Sequence, residues 1–442
     1  MRKAAFHNLG CKVNSYETEA MEQMLQKAGY EIVPFEPGAD VYVINTCSVT
    51  NIADRKSRQM LHRAKKMNPA AVVVAAGCYV QAAGEELLEK DEAVDIVIGN
   101  DRKRELVEIL ERHFSHTGEK EAYLKDIGAS REYEELHVDR IEEHTRAFIK
   151  IQDGCNQFCS YCIIPYTRGR IRSRRPGDVI KEVEKLAASG YREVVLTGIH
   201  LSSYGVDFRE DKKSGLFELI GRLNEIQGLE RIRLGSLEPR IITEESAAFL
   251  ASIPKFCPHF HLSLQSGCDS VLKRMNRHYT TEEYYEKCEI LRRYFHNPAI
   301  TTDVIVGFPG ETEEEFEATR QFLEKVHFYE MHVFKYSRRK GTVADRMEGQ
   351  IPEPVKGERS DVLLELDRSM SQEYRTSFLG KELEILLEEE VMIEGGRYLV
   401  GHTKEYVRCA VDLEAGEKGT LVTGKGTAIM EDGTLLLKRQ IG

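Results

Sequence analysis

Three cysteines in the run DGCNQFCSYC (Cys155, Cys159 and Cys162) stand in a C-x3-C-x2-C spacing. Three thiolates offered by one short loop can take three corners of a cubane iron–sulfur cluster and leave the fourth iron open to a small molecule. A closed zinc site is the competing reading, but it needs a fourth ligand, and no Cys or His follows at finger spacing. A two-thiol redox pair would leave Cys155 unexplained. Three further cysteines sit far apart in the chain but in matching contexts: Cys11 after KAAFHNLG, Cys47 after VYVINT and Cys78 after AVVVAAG. Each follows an apolar run that reads as a strand. In an open parallel sheet the C-terminal strand ends share one edge, so these three should converge into a second metal site. Buried structural thiols are the alternative; they suit strand interiors better than Gly-Cys or Thr-Cys turns. Cys257, Cys268, Cys288 and Cys409 have no matching partners and read as structural. No histidine shows ligand spacing, and His200 and His261 are expected to be hydrogen-bonded structural residues.

The elements that must position these groups fall into three regions. Residues 1–114 alternate short apolar runs with amphipathic helical ones, the pattern of an open, parallel, flavodoxin-like α/β sheet. Residues 115–145, with 9 acidic and 4 basic side chains, read as an acidic linker. Residues 146–375 repeat strand and helix six times, which predicts a partial (β/α)6 barrel with its site at the C-terminal mouth of the strands. Thr197, Gly198, Glu238, Gln265, Ser337 and, within its strand, Asp303 furnish that mouth. Residues 376–442 carry short β-prone runs between glycine turns and predict a small all-β barrel.

The chain of 442 residues carries 41% apolar and 31% charged side chains and a net charge of −11. That composition excludes a disordered or fibrous protein. No apolar run reaches the ~20 residues that span a bilayer, and the N-terminus lacks a signal-peptide core, so a cytoplasmic protein without membrane contact is expected. No segment is basic overall, which argues against indiscriminate polyanion binding. One local run, TRGRIRSRRP, holds Arg168, Arg170, Arg172, Arg174 and Arg175 and is either a phosphate grip or a solvated loop.

Taken together, LGCKVN, NTCSVT, AGCYVQ, DGCNQFCSYCIIPYTRGRIRSR, SLQSG, VIVGFPGET and FKYSRRKGT resemble the radical S-adenosylmethionine methylthiotransferases over essentially the whole chain. The LGCKVN form is similar to the branch acting on N6-threonylcarbamoyladenosine in tRNA. The resemblance implies a radical-generating [4Fe–4S] cluster on Cys155, Cys159 and Cys162, and an auxiliary [4Fe–4S] cluster on Cys11, Cys47 and Cys78. S-adenosylmethionine would serve as methyl donor and radical source in placing a methylthio group on carbon 2 of the adenine. It also implies cofactor contacts from Tyr161, Thr197, Gly198, Glu238, Gln265 and Arg277, although TGI at 197–199 departs from the superfamily's commoner GGE. A TRAM-like C-terminal barrel (with Lys404, Arg408, Lys425 and Lys438) and Arg168, Arg170, Arg172 and Arg174 would meet the tRNA anticodon stem-loop. A flavodoxin or ferredoxin would supply electrons. The alternatives are a methylthiotransferase acting on another tRNA adenosine or on a ribosomal protein, and a non-enzymatic iron–sulfur redox sensor that binds RNA.

Overall fold

The computed structural model describes residues 1–115, 119–138, 145–208 and 215–439. Six parallel strands form the N-terminal sheet: β1 (Lys3–Asn8), β2 (Glu31–Val33), β3 (Val41–Thr46), β4 (Val72–Gly77), β5 (Ile96–Ile98) and β6 (Glu121–Tyr123). Their order, β2-β1-β3-β4-β5-β6, is the doubly wound one and makes β1, β3 and β4 neighbours. β3 and β4 are buried at every residue, as VYVINT and VVVAAG require of central strands covered on both faces. Helix α1 (Lys12–Lys27) follows β1, α2 (Asn51–Met67) follows β3 and α3 (Cys78–Ala83) follows β4. Along α1 the buried stripe Val13, Tyr16, Glu17, Ala20 and Met21 has helical spacing, and Glu17 is a carboxylate set inside it.

The partial barrel runs through β7 (Arg146–Asp153), β9 (Glu193–Gly198), β10 (Arg231–Leu234), β11 (His259–His261), β12 (Ala299–Val306) and β13 (Glu330–Lys335), all parallel. The short strand β8 (Arg172–Ser173) pairs antiparallel with β7. Bridges Ile232↔Phe256 and Leu237↔Leu262 carry the wall from β10 to β11. Alternation along each strand sends Ala147, Ile149, Ile151, Leu196, Ile232, Phe260 and Val304 into the helix-covered core. Arg146, Phe148, Lys150, Arg233, His261 and Asp303 take the opposite face.

Strands β14 (Glu382–Ile393), β15 (Gly396–His402), β16 (Arg408–Val411), β17 (Leu421–Ile429) and β18 (Leu435–Lys438) close a five-stranded barrel. It is fastened to the N-terminal ends of the partial barrel's strands. The Arg231 and Arg233 guanidinium groups donate to the carbonyls of His402, Glu384, Lys404 and Thr403 at 2.8–3.1 Å. The Tyr406 ring lies stacked between His259 and His402.

The acidic segment is not a free linker. Residues 116–118 and 139–144 lie outside the described residues, but β6 adds to the sheet edge, and Leu136 and Val138 are buried in one cluster with Tyr16, Ile149 and Val183. The Tyr133 hydroxyl donates to the Lys150 carbonyl at 2.8 Å, and Glu135 pairs with Arg174 at 3.1 Å. Part of its negative charge is thus countercharge to the arginine run.

Candidate active site between two cysteine cradles

Cys11, Cys47 and Cys78 stand just past the ends of β1, β3 and β4, three adjacent strands in register (Asn8↔Asn45, Thr46↔Gly77). The turns that bring them together tolerate only glycine. Gly10 has φ +113, and a Cβ there would lie 3.0 Å from the Cys47 Sγ; Gly77 has φ +98, and a Cβ would lie 2.5 Å from the Thr46 carbonyl. Burial pushes the Cys47 thiol up to about 11, and the neighbouring Cys78 and Cys11 add to the rise. Three thiols crowded at one sheet edge ionise together only when a cation draws them.

The second cradle follows β7. Gly154 has φ +70, and a Cβ there would come 1.9 Å from the Arg170 carbonyl, so the chain can leave the strand only with glycine. Cys155 N–H then donates to the Gly169 carbonyl and Cys162 N–H to the Cys159 carbonyl, both at 3.0 Å. Ser160 pins the loop through its N–H to Met275 and its hydroxyl to Arg274. Burial raises Cys155 to about 11 and Cys162 to about 12, with Cys159 adding to both. Arg277 Nη1 lies 3.4 Å from Cys159 Sγ. Each cradle therefore offers three soft donors with a guanidinium against one sulfur, a set that fits an iron–sulfur cluster with one open corner.

Between the cradles lies a buried ionic network that spacing alone did not reveal. Glu17 accepts from Lys103 (2.8 Å), Lys150 (2.7 Å) and Arg168 (2.8 Å). Asp153, two residues before Cys155, meets Lys150 at 2.7 Å and Arg168 at 3.2 Å. Arg168 also donates to Asn14 Oδ1 at 2.6 Å and, through Nε, lies 3.2 Å from Cys78 Sγ. Although burial alone would raise both carboxyls, the surrounding cations hold Glu17 and Asp153 below their ordinary range. Four cations, with Arg172 3.7 Å from Asp153, face these two carboxylates. The surplus positive charge abuts Cys78, where thiolates would gather.

This burial corrects the reading of the arginine run as RNA-binding. Arg168, Arg172 and Arg174 are 0%, 2% and 0% exposed, so they reach no phosphate. Arg174 is held by Glu182 at 2.5 Å and by Glu135. Only Arg170 and Arg175 of the run are exposed. In the C-terminal barrel Lys404 donates to the Pro254 carbonyl and Arg408 pairs with Asp432. Lys425 and Lys438 are exposed and face each other across β17 and β18.

The residues expected at the barrel mouth are at strand ends. Thr197 and Gly198 close β9, where a Cβ on Gly198 would lie 2.9 Å from Gln152. Glu238 accepts from Arg240 Nε at 2.7 Å, and its N–H donates to Ser202 Oγ. Gln265 is left-handed (φ +75) and bridges to β12 through the Asp303 carbonyl and the Ile305 N–H. Tyr161 is half-buried against Val271, Met275, Phe308 and Tyr336. Arg277 contacts Cys159 Sγ, the Ser263 carbonyl and the Tyr279 hydroxyl. His200 bonds Ser203 Oγ at 2.6 Å, and burial lowers its imidazole to about 4, so it is neutral at pH 7. His261, Asp303 and the exposed His332, from three adjacent strands, bring their polar atoms within 4.8 Å of one another. His spacing in the sequence gave no sign of that group.

The Radical SAM superfamily model matches residues 149–323, and the model described as Uncharacterized protein family UPF0004 matches residues 3–99. The chain is 43% identical over 410 residues to the threonylcarbamoyladenosine tRNA methylthiotransferase MtaB of Bacillus subtilis, covering 92% of this chain and 90% of that one. It is 39% identical to the tRNA-2-methylthio-N(6)-dimethylallyladenosine synthase of Moorella thermoacetica, covering 86% and 85%. Among solved structures, the radical S-adenosylmethionine methyltransferase TsrM of Kitasatospora setae, with cobalamin and a [4Fe-4S] cluster bound, shares the fold. That match has a TM-score of 0.57 and 15% identity, over 78% of this chain and 77% of that one. No helix among the described residues is long and apolar enough to cross a membrane. The chain belongs to the radical S-adenosylmethionine tRNA methylthiotransferases.

Proposed function

We propose that the protein places a methylthio group on carbon 2 of N6-threonylcarbamoyladenosine beside the tRNA anticodon. One observation carries this reading: a single buried ionic network links the strand ends that bear the two three-cysteine cradles, through Arg168 on Cys78 and on Asp153. The similarity of 43% to a relative named for that nucleoside favours this base over the dimethylallyl one. Cys155, Cys159 and Cys162 would hold the radical-generating [4Fe–4S] cluster, and Cys11, Cys47 and Cys78 would hold the auxiliary one. When bound, the first cluster and S-adenosylmethionine supply one-electron cleavage of a sulfonium bond, chemistry that reaches a carbon no side-chain base could activate.

The chain's own groups bind and orient. Thr197, Gly198, Glu238, Gln265 and Tyr161 are the residues that would hold S-adenosylmethionine, from successive strand ends and the radical loop. Arg277 donates to Cys159 sulfur and keeps the loop closed. Arg168 does the same for Cys78 and ties that sulfur, through Asp153, to the strand that carries the radical loop. The target adenosine leaves its stack to reach the cleft, and the C-terminal barrel, a TRAM-type module, grips RNA through Lys425 and Lys438. The enzyme acts in the cytoplasm with a flavodoxin- or ferredoxin-like reductant. Anaerobic incubation with dithionite, S-adenosylmethionine and tRNA from cells lacking the mark, followed by nucleoside mass spectrometry, tests this. The account expects 2-methylthio-N6-threonylcarbamoyladenosine. A methylthio group on dimethylallyladenosine instead would move the substrate assignment, and no methylthio nucleoside would overturn the reading.

A further inference from the structure

An aromatic pair has one ring within the radical loop and one just after it, and reaches solvent there. Phe158, between Cys155 and Cys159, adopts φ +50, a left-handed conformation rare for a bulky residue. Asn276 Nδ2 supports the turn by donating to the Phe158 carbonyl at 3.0 Å. Tyr166 follows Cys162 by four residues, in the one-turn helix Ile164–Thr167. Its ring meets that of Phe158 edge-on at 5.8 Å and 82°. The Arg170 guanidinium carbon covers Phe158 at 4.6 Å from the ring centroid. Tyr166 is 49% exposed, Arg170 is exposed and Phe158 is half-buried.

We propose that Phe158, Tyr166 and Arg170 form a stacking platform for an unpaired nucleobase adjoining the target adenosine. The proposal rests on the reading above that RNA is the substrate. Aromatic faces joined to a guanidinium plane are the elements by which single-stranded RNA is held, and every base presents a matching π-face. A protein partner such as an acidic electron donor fits less well. It would need a dense positive patch, and three of the five arginines in this run are buried in internal ion pairs. The position also suits a base. The platform grows from the loop that carries the radical-cluster cysteines, so a nucleotide stacked there fixes its neighbour at the cleft.

The test is fluorescence anisotropy of the reconstituted protein with an anticodon stem–loop RNA that carries N6-threonylcarbamoyladenosine. A second RNA carries 2-aminopurine at the adjoining position. Tyr166→Ala should weaken binding roughly 5- to 150-fold, the loss of one base stack, and Tyr166→Trp should restore it. The 2-aminopurine emission should be quenched by the wild-type protein and recover with Tyr166→Ala and with Arg170→Ala. Visible absorption of the clusters and circular dichroism verify that each variant is folded and loaded. Wild-type binding with unchanged affinity and quenching in both variants overturns the platform alone. Variants that bind RNA normally but accept electrons from flavodoxin more slowly overturn it in favour of a protein-docking surface. A wild-type protein that binds no stem–loop overturns both the platform and the proposed substrate.

Discussion

Arg168→Gln removes the residue that joins the Cys78 sulfur to Asp153, at the end of the strand that leads into the radical loop. The guanidinium meets Glu17 at 2.8 and 3.1 Å, Asp153 at 3.2 Å, Asn14 at 2.6 Å and Cys78 Sγ at 3.2 Å, all out of solvent. Breaking a buried ion pair by deleting one partner costs about 3–5 kcal/mol. Glu17 keeps Lys103 and Lys150, and Asp153 keeps Lys150, so neither carboxylate is stranded and the lower end, about 3 kcal/mol, applies. For domains of 150–250 residues each kcal/mol moves the melting midpoint by about 2–4 °C, so a fall of about 6–12 °C follows. Arg168→Lys keeps the charge but not the planar fork and should recover only part of it. The assay is anaerobic thermal unfolding of reconstituted protein by circular dichroism, with iron measured on the same samples. Iron should be lost from the N-terminal cradle, whose Cys78 keeps only the longer contact from Asn100 Nδ2 at 3.5 Å. A glutamine variant that melts within about 2 °C of wild type and retains all its iron would refute the idea that this network holds the site together.

Other consequences can be checked independently. Burial raises the Glu134 carboxyl to about 7, above its ordinary 4.5, so stability falls as pH rises between those values because the folded state keeps a proton that the unfolded state has lost. Glu134→Gln retains the acceptor for Arg104 N–H. It should therefore gain about 1–3 kcal/mol in urea unfolding at pH 8 and nothing at pH 4, whereas an equal difference at both would count against the assignment. Gly154→Ala forces a Cβ to 1.9 Å from the Arg170 carbonyl and should halve the iron bound on reconstitution; full loading would show that the turn relaxes. Replacing Lys425 and Lys438 by Ala should lower the slope of log affinity for tRNA against log salt by about 1.5, and an unchanged slope would remove this pair from the RNA interface.

The convergence of Cys11, Cys47 and Cys78 was legible because parallel-sheet topology places every strand's C-terminal end on one edge. The barrel strands were legible because apolar residues alternate along them, as Ala147, Ile149 and Ile151 do in β7 and Ile300, Val304 and Val306 in β12. The arginine run was misread for a physical reason: a string of charges says nothing about burial until its counterions are found. Those counterions are Glu17, Asp153, Glu182 and Glu135, scattered over three regions of the chain. One signal was available, since Glu17 occupies a core position in the stripe Val13, Tyr16, Ala20 and Met21, where an unpaired carboxylate would be prohibitive. Strand β6 went unseen because three residues, EAY, carry no alternation. The supposed linker concealed its anchors because its buried apolar residues, Tyr123, Ile127, Leu136 and Val138, are too widely scattered to give a periodic pattern. His261, Asp303 and His332 meet only through the register of β11, β12 and β13, which sequence spacing does not encode.

The central claim is that two cysteine cradles do separate work on one tRNA base. The direct test compares wild type with Cys47→Ala/Cys78→Ala under dithionite, S-adenosylmethionine and tRNA, with 5′-deoxyadenosine and methylthio nucleoside quantified together. The account predicts that the double variant still forms 5′-deoxyadenosine, because Cys155, Cys159 and Cys162 are intact, and makes no methylthio nucleoside. A double variant that still methylthiolates tRNA would contradict it.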